Sequence, residues 1–230
     1  IALRIFHEQK WAVLAALLMT LDGLNLVMSR TALLDIFLTL FILMAVNAWL
    51  RGKYLELSIY LGLAIGSKWS AIYFVALILI LDTIFNQKFM RTIRTGIISF
   101  LVYLISWLGW FHSNYGWDRN LKSNPFVSLF YYHKEMLNFH TGLTQKHTYQ
   151  ANPWSWLIMG RPTSFYFQSP KSCGAKDCAK EVLAIGTPLL WWLGAIAVLF
   201  LIGYNLHKIA IQEFDNAAVI PILGILAGYL

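Results

Sequence analysis

The sequence predicts an all-α protein, a polytopic bundle of transmembrane helices with a partly helical external loop region. Three observations predict it. Of 230 residues, 58% are hydrophobic and only 13% charged, where a soluble domain carries about 25% charged residues. The apolar residues gather into six runs, separated by short basic connections except for one long polar and aromatic segment between the fourth and fifth. Backbone groups in hydrocarbon must bond within their own segment, and an open chain does that only as a helix. This composition excludes an ordinary soluble domain and a disordered chain.

The runs follow in order. Residues 11–28 are interrupted by Asp22 and Asn25, and residues 31–50 by Asp35 and Asn47. Residues 54–81 are broken at Gly66, Ser67 and Lys68. Residues 93–111 form the fourth run, 182–206 the fifth and 217–230 the last. A span needs about 20 apolar residues, so the third run is long for one pass and short for two. If it is two short helices meeting near Lys68, then Arg4, Lys10, Arg51, Lys53, Lys88, Arg91, Arg94 and Lys208 all fall on one side. Lys and Arg in short connections mark the cytoplasmic side. Only Arg30 and Lys68 then sit at short turns on the other side, and that agreement favours two helices. Three regions result: core helices over 1–111, an extracytoplasmic loop region over 112–181, and the start of a C-terminal helix region over 182–230. The chain begins at Ile1 rather than Met and its last run is short for a span, so the sequence reads as a piece of a longer protein.

The external region holds 13 aromatic residues between Asn114 and Phe167. Within it, residues 128–139 (SLFYYHKEMLNF) place Leu129, Tyr132, Met136 and Phe139 on one helical face. An amphipathic helix lying at the membrane interface fits this pattern, and so does a loop helix packed on the protein. Cys173 and Cys178 are the two cysteines, five apart in this region. An exposed pair in an oxidising compartment reads as a disulfide closing a tight loop. Zinc would need two further ligands, which no nearby His or Cys supplies. The net charge of +7 is no nucleic-acid signature, because the basic residues are dispersed.

Ionisable residues inside spanning helices are costly, so each needs a partner or a task. Asp22, Arg30, Asp35 and Lys68 all converge on the outer end of the helices in this topology. Two cations there suit a lipid-linked phosphate, whose prenyl tail lies among the helices. Arg30 would meet it with a planar fork and Lys68 as a point charge. Alternatively, Asp22 or Asp35 pairs with Arg30 and merely ties two helices together. His133, His140 and His147 recur every seven residues, but Thr141 and Gly142 should end the helix before His147, and no carboxylate completes a metal site. No metal or cofactor is expected.

The segment at residues 21–35 (LDGLNLVMSRTALLD) resembles the D-(G/N)-x5-S-R-x-x-L-L-D segment of protein O-mannosyltransferases. Residues 67–70 (SKWS) are similar to their (S/V)-K-(W/Y) segment. Residues 139–143 (FHTGL), His147, Tyr149, residues 152–156 (NPWSW), Arg161 and Pro162 resemble their large external loop. Residues 186–192 (GTPLLWW) resemble the start of their C-terminal four-helix region. The matches run through nearly the whole chain in the family's order.

The resemblance implies a membrane glycosyltransferase of the GT-C type. Such enzymes move mannose from polyprenyl-phosphate mannose to Ser or Thr of secreted proteins, with inversion and without a metal. The short external loop leaves no room for the β-trefoil domain of eukaryotic members and resembles the bacterial branch. It implies a multi-pass protein of the plasma membrane with its active site on the extracytoplasmic face, beside the secretion machinery. Arg30 and Lys68 are then the donor-phosphate contacts, supported by Asp22 and Asp35. His140, His147, Tyr149, Trp154, Trp156 and Arg161 become acceptor- or sugar-side residues. The family's Asp-Glu motif, whose Asp is the expected general base, belongs to a loop expected before Ile1. A GT-C transferase with a lipid or cell-wall acceptor shares these features. A transporter fragment would use the same four charges as a path, though no internal repeat supports it.

Overall fold

The computed structural model describes residues 1–31, 33–145, 151–169, 178–211 and 216–229. The first run is two helices, not one. After the short α1 (Ala2–Phe6), α2 (Gln9–Thr20) and α3 (Gly23–Arg30) meet at a 59° bend. Asp22 makes the break. Its Oδ2 accepts the Asn25 backbone N–H at 3.1 Å, which caps α3 and stops α2 from running on.

Next come α4 (Leu34–Leu50), α5 (Tyr54–Ser67), α6 (Ala71–Asn86) and α7 (Phe89–Ser106), with α8 (Leu108–His112) extending α7 past Trp107. The third run is thus two helices. Lys68 between them is extended, with φ −159° and ψ 135°. Trp49, Leu57 and Leu81 share one apolar cluster, and Leu38, Ala64 and Ala71 share another. Helices α4, α5 and α6 therefore run alternately up and down. Arg51, Lys53, Lys88, Arg91 and Arg94 gather at the Trp49 end, and Lys68 sits at the opposite end.

α5 lies between α4 and α7. Gly62 permits its approach to α7, because a Cβ there would sit 2.6 Å from Val102 Cβ. Ser99 Oγ donates to the Ser58 carbonyl at 3.0 Å across the same seam. Small residues and a hydroxyl bridge are what close helix pairs use where water supplies no drive to associate.

The Trp49 end is locked by Asp82, a buried carboxylate the sequence reading did not single out. It accepts from Trp49 Nε1 at 2.9 Å, Asn86 Nδ2 at 2.8 Å and Thr92 Oγ1 at 3.2 Å. Arg91 reaches both its oxygens through Nη2, at 3.0 and 3.2 Å. The Arg91 guanidinium also lies 3.8 Å over the Tyr54 ring. Asp82 thereby ties α4, α5, α6 and α7 together.

Residues 128–139 fall inside α9 (Pro125–Gly142), capped by Asn124 and started by Pro125. Leu129 is buried and Tyr132 packs on Trp107 and Trp110, so this face lies on the protein. Phe139 departs from that face and is 63% exposed. A short α10 (Pro153–Trp156) precedes two antiparallel strands, β1 (Thr163–Gln168) and β2 (Lys180–Ala184), with a bulge between Ser164 and Tyr166.

The fifth apolar run starts too early in the sequence reading. Val182 belongs to β2, and the helix α11 (Pro188–Ala210) begins only after Thr187, with Pro188 in its first turn. A short apolar run carries no period that separates strand from helix. The last helix described is α12 (Asn216–Tyr229). By length and composition, Phe89–His112 and Pro188–Ala210 can each cross a membrane, and α2 with α3 qualifies as a bent pair. α4, α5 and α6 are shorter apolar helices.

Candidate functional site

Asp22 is buried, and its bonds join distant parts of the chain. Its Oδ1 accepts from the Thr187 backbone N–H at 3.1 Å and from Trp191 Nε1 at 3.0 Å. Thr187 Oγ1 in turn donates to the Leu21 carbonyl at 2.9 Å and accepts the Gly23 N–H at 3.0 Å. The start of α11 is thereby fastened to the start of α3. Gly186 must lack a side chain here, since a Cβ would run into the Trp191 indole.

Asp35, in the first turn of α4, pairs with Lys68 at the α5–α6 turn. Lys68 Nζ donates to Asp35 Oδ1 at 2.7 Å, with both side chains part-exposed, 45% and 39%. Arg30 is exposed at the end of α3 and has no hydrogen bond or ion pair with the described residues. The sequence left open that Asp22 or Asp35 pairs with Arg30. The structure gives Asp22 to Thr187 and Trp191, and Asp35 to Lys68.

Asp22 and Asp35 border a groove, whereas Arg30 and Lys68 do not line it. Two adjoining cavities, about 510 and 460 Å³, share Leu24, Met28, Asp35 and Trp191. The first runs along α3 and α4 past Asp22 and Thr39. The second opens beneath the connecting segments, where Trp156, Arg161 and Thr163 close over it. Met159 and Arg161 both have a φ of 56°, a left-handed backbone uncommon outside glycine. This turn brings Arg161 to the groove. One wall is apolar, and the polar groups converge from three separate chain segments.

The structure thus brings Asp22, Asp35, Trp156 and Arg161 to one groove, with Lys68 held beside it through Asp35. His140 is exposed at the end of α9 against Phe139, and Trp154 is 77% exposed; neither borders the groove. His147, Tyr149 and Cys173 lie outside the described residues, while Cys178 is disulfide-bonded.

The sequence reading missed a polar chain behind Lys68. Trp69 Nε1 donates to Tyr103 Oη at 3.1 Å, and Tyr103 Oη lies 2.5 Å from His133 Nε2. His133 Nδ1 sits 2.8 Å from the Leu129 carbonyl. A tryptophan directly after the lysine, and a tyrosine in an apolar helix, were the available signals.

Fold and groove define a helical membrane protein whose connecting segments close over a groove at one end of its helices. Residues 1–114 match the family model described as dolichyl-phosphate-mannose-protein mannosyltransferase. Residues 125–219 match the one described as the C-terminal four TMM region of protein-O-mannosyltransferase. The chain belongs to the protein O-mannosyltransferase family. It is 29% identical to the polyprenol-phosphate-mannose–protein mannosyltransferase of Mycobacterium tuberculosis, over 99% of this chain and 55% of that protein. The proteins of the same name from Mycolicibacterium smegmatis and Corynebacterium glutamicum are 29% and 26% identical, over all of this chain and 57% and 56% of their own lengths. The chain therefore spans about half the length of these curated relatives. No solved structure matches.

Proposed function

We propose that the whole protein is a membrane glycosyltransferase that moves mannose from polyprenyl-phosphate mannose to Ser or Thr hydroxyls of secreted proteins. The observation that carries this reading is the placement of Asp35. It borders both cavities of the groove and holds Lys68 at their edge. The cavity along α3 and α4 suits the lipid side of the donor. The cavity under Trp156 and Arg161 suits the sugar and the acceptor.

The reaction is a displacement at the anomeric carbon. The acceptor oxygen attacks C1 from the face opposite the phosphate, the C1–O bond to phosphate breaks, and configuration inverts. No metal takes part in the proposal. The departing phosphate gains negative charge, and fixed cations nearby stabilise that charge as it forms. Lys68 has three donor protons and Asp35 occupies one, so two remain for phosphate oxygens. Arg30 supplies the second cation. The hydroxyl proton goes to a carboxylate of the whole protein, for which the Asp of the family's Asp-Glu motif is the proposed base. Asp22 is a poor choice for that base, because it already accepts three hydrogen bonds. The grouping of basic residues at the Trp49 end supports a cytoplasmic side there, with the groove on the outer face of the plasma membrane, beside secretion.

The test is transfer of labelled mannose by the full-length protein from a polyprenyl-phosphate donor to a Thr-rich peptide, with the product's anomeric configuration read by NMR. A product whose anomeric configuration is opposite to that of the donor is expected. Transfer to a lipid acceptor in place of the peptide would overturn the acceptor assignment.

A further inference from the structure

The chain of hydrogen bonds behind Lys68 has a fixed direction. His133 Nδ1 faces a backbone carbonyl, which only accepts, so Nδ1 carries the proton. In the neutral ring Nε2 is then the acceptor and takes the Tyr103 O–H. Tyr103 Oη keeps its lone pairs for the Trp69 N–H. Each member thus has a set role: Trp69 donates to Tyr103, Tyr103 to His133, and His133 to Leu129.

The surroundings make this chain rigid. Tyr103 is buried at 6% exposure. The His133 ring packs 4.9 Å from Trp107 and 5.5 Å from Trp69, and lies edge-on to Tyr103 at 5.8 Å. A packed aromatic cluster leaves the indole of Trp69 one position. Trp69 follows Lys68 directly, and Lys68 is the extended residue between α5 and α6. The backbone of Lys68 therefore cannot shift toward or away from Asp35 without moving an indole pinned by Tyr103, which sets where the lysine stem begins. At the other end the chain begins on α9, in the segment that connects the core helices to Trp156 and Arg161.

We infer that His133 is a positioning residue: acting through Tyr103 and Trp69, it fixes Lys68 against Asp35 and so couples the docking of α9 to the lysine at the groove. This rests on the glycosyltransferase reading only for its effect on activity. The geometric part stands without it.

The experiment uses the full-length protein in detergent, with His133→Ala, Tyr103→Phe and His133→Gln. A glutamine places an amide oxygen near the Nε2 position and can accept the Tyr103 hydroxyl. Two quantities are measured on each sample. The first is the rate at which an amine-reactive reagent labels Lys68, followed by mass spectrometry. The second is the KM for polyprenyl-phosphate mannose and, separately, for the peptide acceptor. Lys68 should label about 3-fold faster or more in His133→Ala and Tyr103→Phe, as its pairing with Asp35 loosens. Donor KM should rise about 5- to 10-fold with peptide KM within 2-fold, and His133→Gln should restore both readouts. A merely structural role would lower the melting temperature while leaving Lys68 labelling and the donor KM at wild-type values, and that result overturns the inference. If the wild type transfers no mannose yet Lys68 labelling responds as stated, the proposed function fails and the positioning role stands. If transfer occurs and neither readout responds, the positioning role fails alone.

Discussion

Lys68 Nζ donates to Asp35 Oδ1 at 2.7 Å, joining the turn between α5 and α6 to the first turn of α4. The two are 33 positions apart in the chain. Part-exposed pairs of this kind contribute about 0–1 kcal/mol to stability. The pair's main consequence is therefore where it holds the ammonium group. Asp35→Asn should lower the melting temperature of the full-length protein by no more than a few degrees. It should raise the donor KM several-fold, because a neutral amide holds the Lys68 ammonium more weakly than a carboxylate does. A large melting-temperature drop with an unchanged KM would show a structural pair instead.

The Asp82 network at the opposite end predicts a different balance. Removing the carboxylate in Asp82→Ala strands the Arg91 guanidinium, whose side chain is only 15% exposed. Breaking a buried pair from one side costs about 3–5 kcal/mol. Thermal unfolding in detergent should show that loss, while Trp49→Phe, which removes a single donor, should cost about 1.5–3 kcal/mol. Equal stability of Asp82→Ala and wild type would contradict the network.

Gly62 and Gly194 form a matched pair of alanine tests. At Gly62 the new methyl meets Val102 and the Ser99 carbonyl, whereas at Gly194 nothing lies within 4 Å. Overpacking costs about 1–3 kcal/mol, so Gly62→Ala should unfold at lower temperature. Gly194→Ala should be neutral or stabilising by up to about 1 kcal/mol, since alanine favours a helix over glycine. The opposite order would place the α5–α7 seam elsewhere.

Asp22→Ala removes the cap of α3 and both bonds to the start of α11. Loss of a cap alone costs about 0.5–2 kcal/mol. The tertiary bonds make the effect larger than for Asn124→Ala, whose side chain caps only its own helix, α9. Proteolysis between β2 and α11 is the direct readout, and Asp22→Ala should be cut faster there than wild type.

Much of the fold was legible in the sequence, for reasons that differ by residue. Lys68 inside a 28-residue apolar run forced the question of one helix or two, and the distribution of Lys and Arg answered it. The bend at Asp22 was less visible, because an Asp in an apolar run reads as a membrane charge before it reads as an N-cap. Asp82 was hidden by position: it directly follows the last residue of the third run, where its residue type alone does not mark it as buried. Val182 was read into a helix because its short apolar neighbourhood has no decisive period. At the site, Asp35, Lys68, Trp156 and Arg161 were singled out from residue type and resemblance, but the pairing of Asp35 with Lys68 was not. Their grouping around one groove depends on chain reversals that local spacing does not encode. The chain from Trp69 through Tyr103 to His133 joins three separate segments, and no pattern in any one of them reveals it.

The proposed reaction requires the Lys68 end of the helices to receive the phosphate of a lipid-linked mannose. Its most direct measurement is mannose transfer to a Thr-rich peptide by full-length wild type, Arg30→Ala and Lys68→Ala, with expression and melting temperature matched. Each substitution should lower kcat/KM for the donor by about 10-fold or more, in keeping with the loss of one charge-assisted contact of about 1.5–3 kcal/mol. Wild-type rates in both variants would contradict the account.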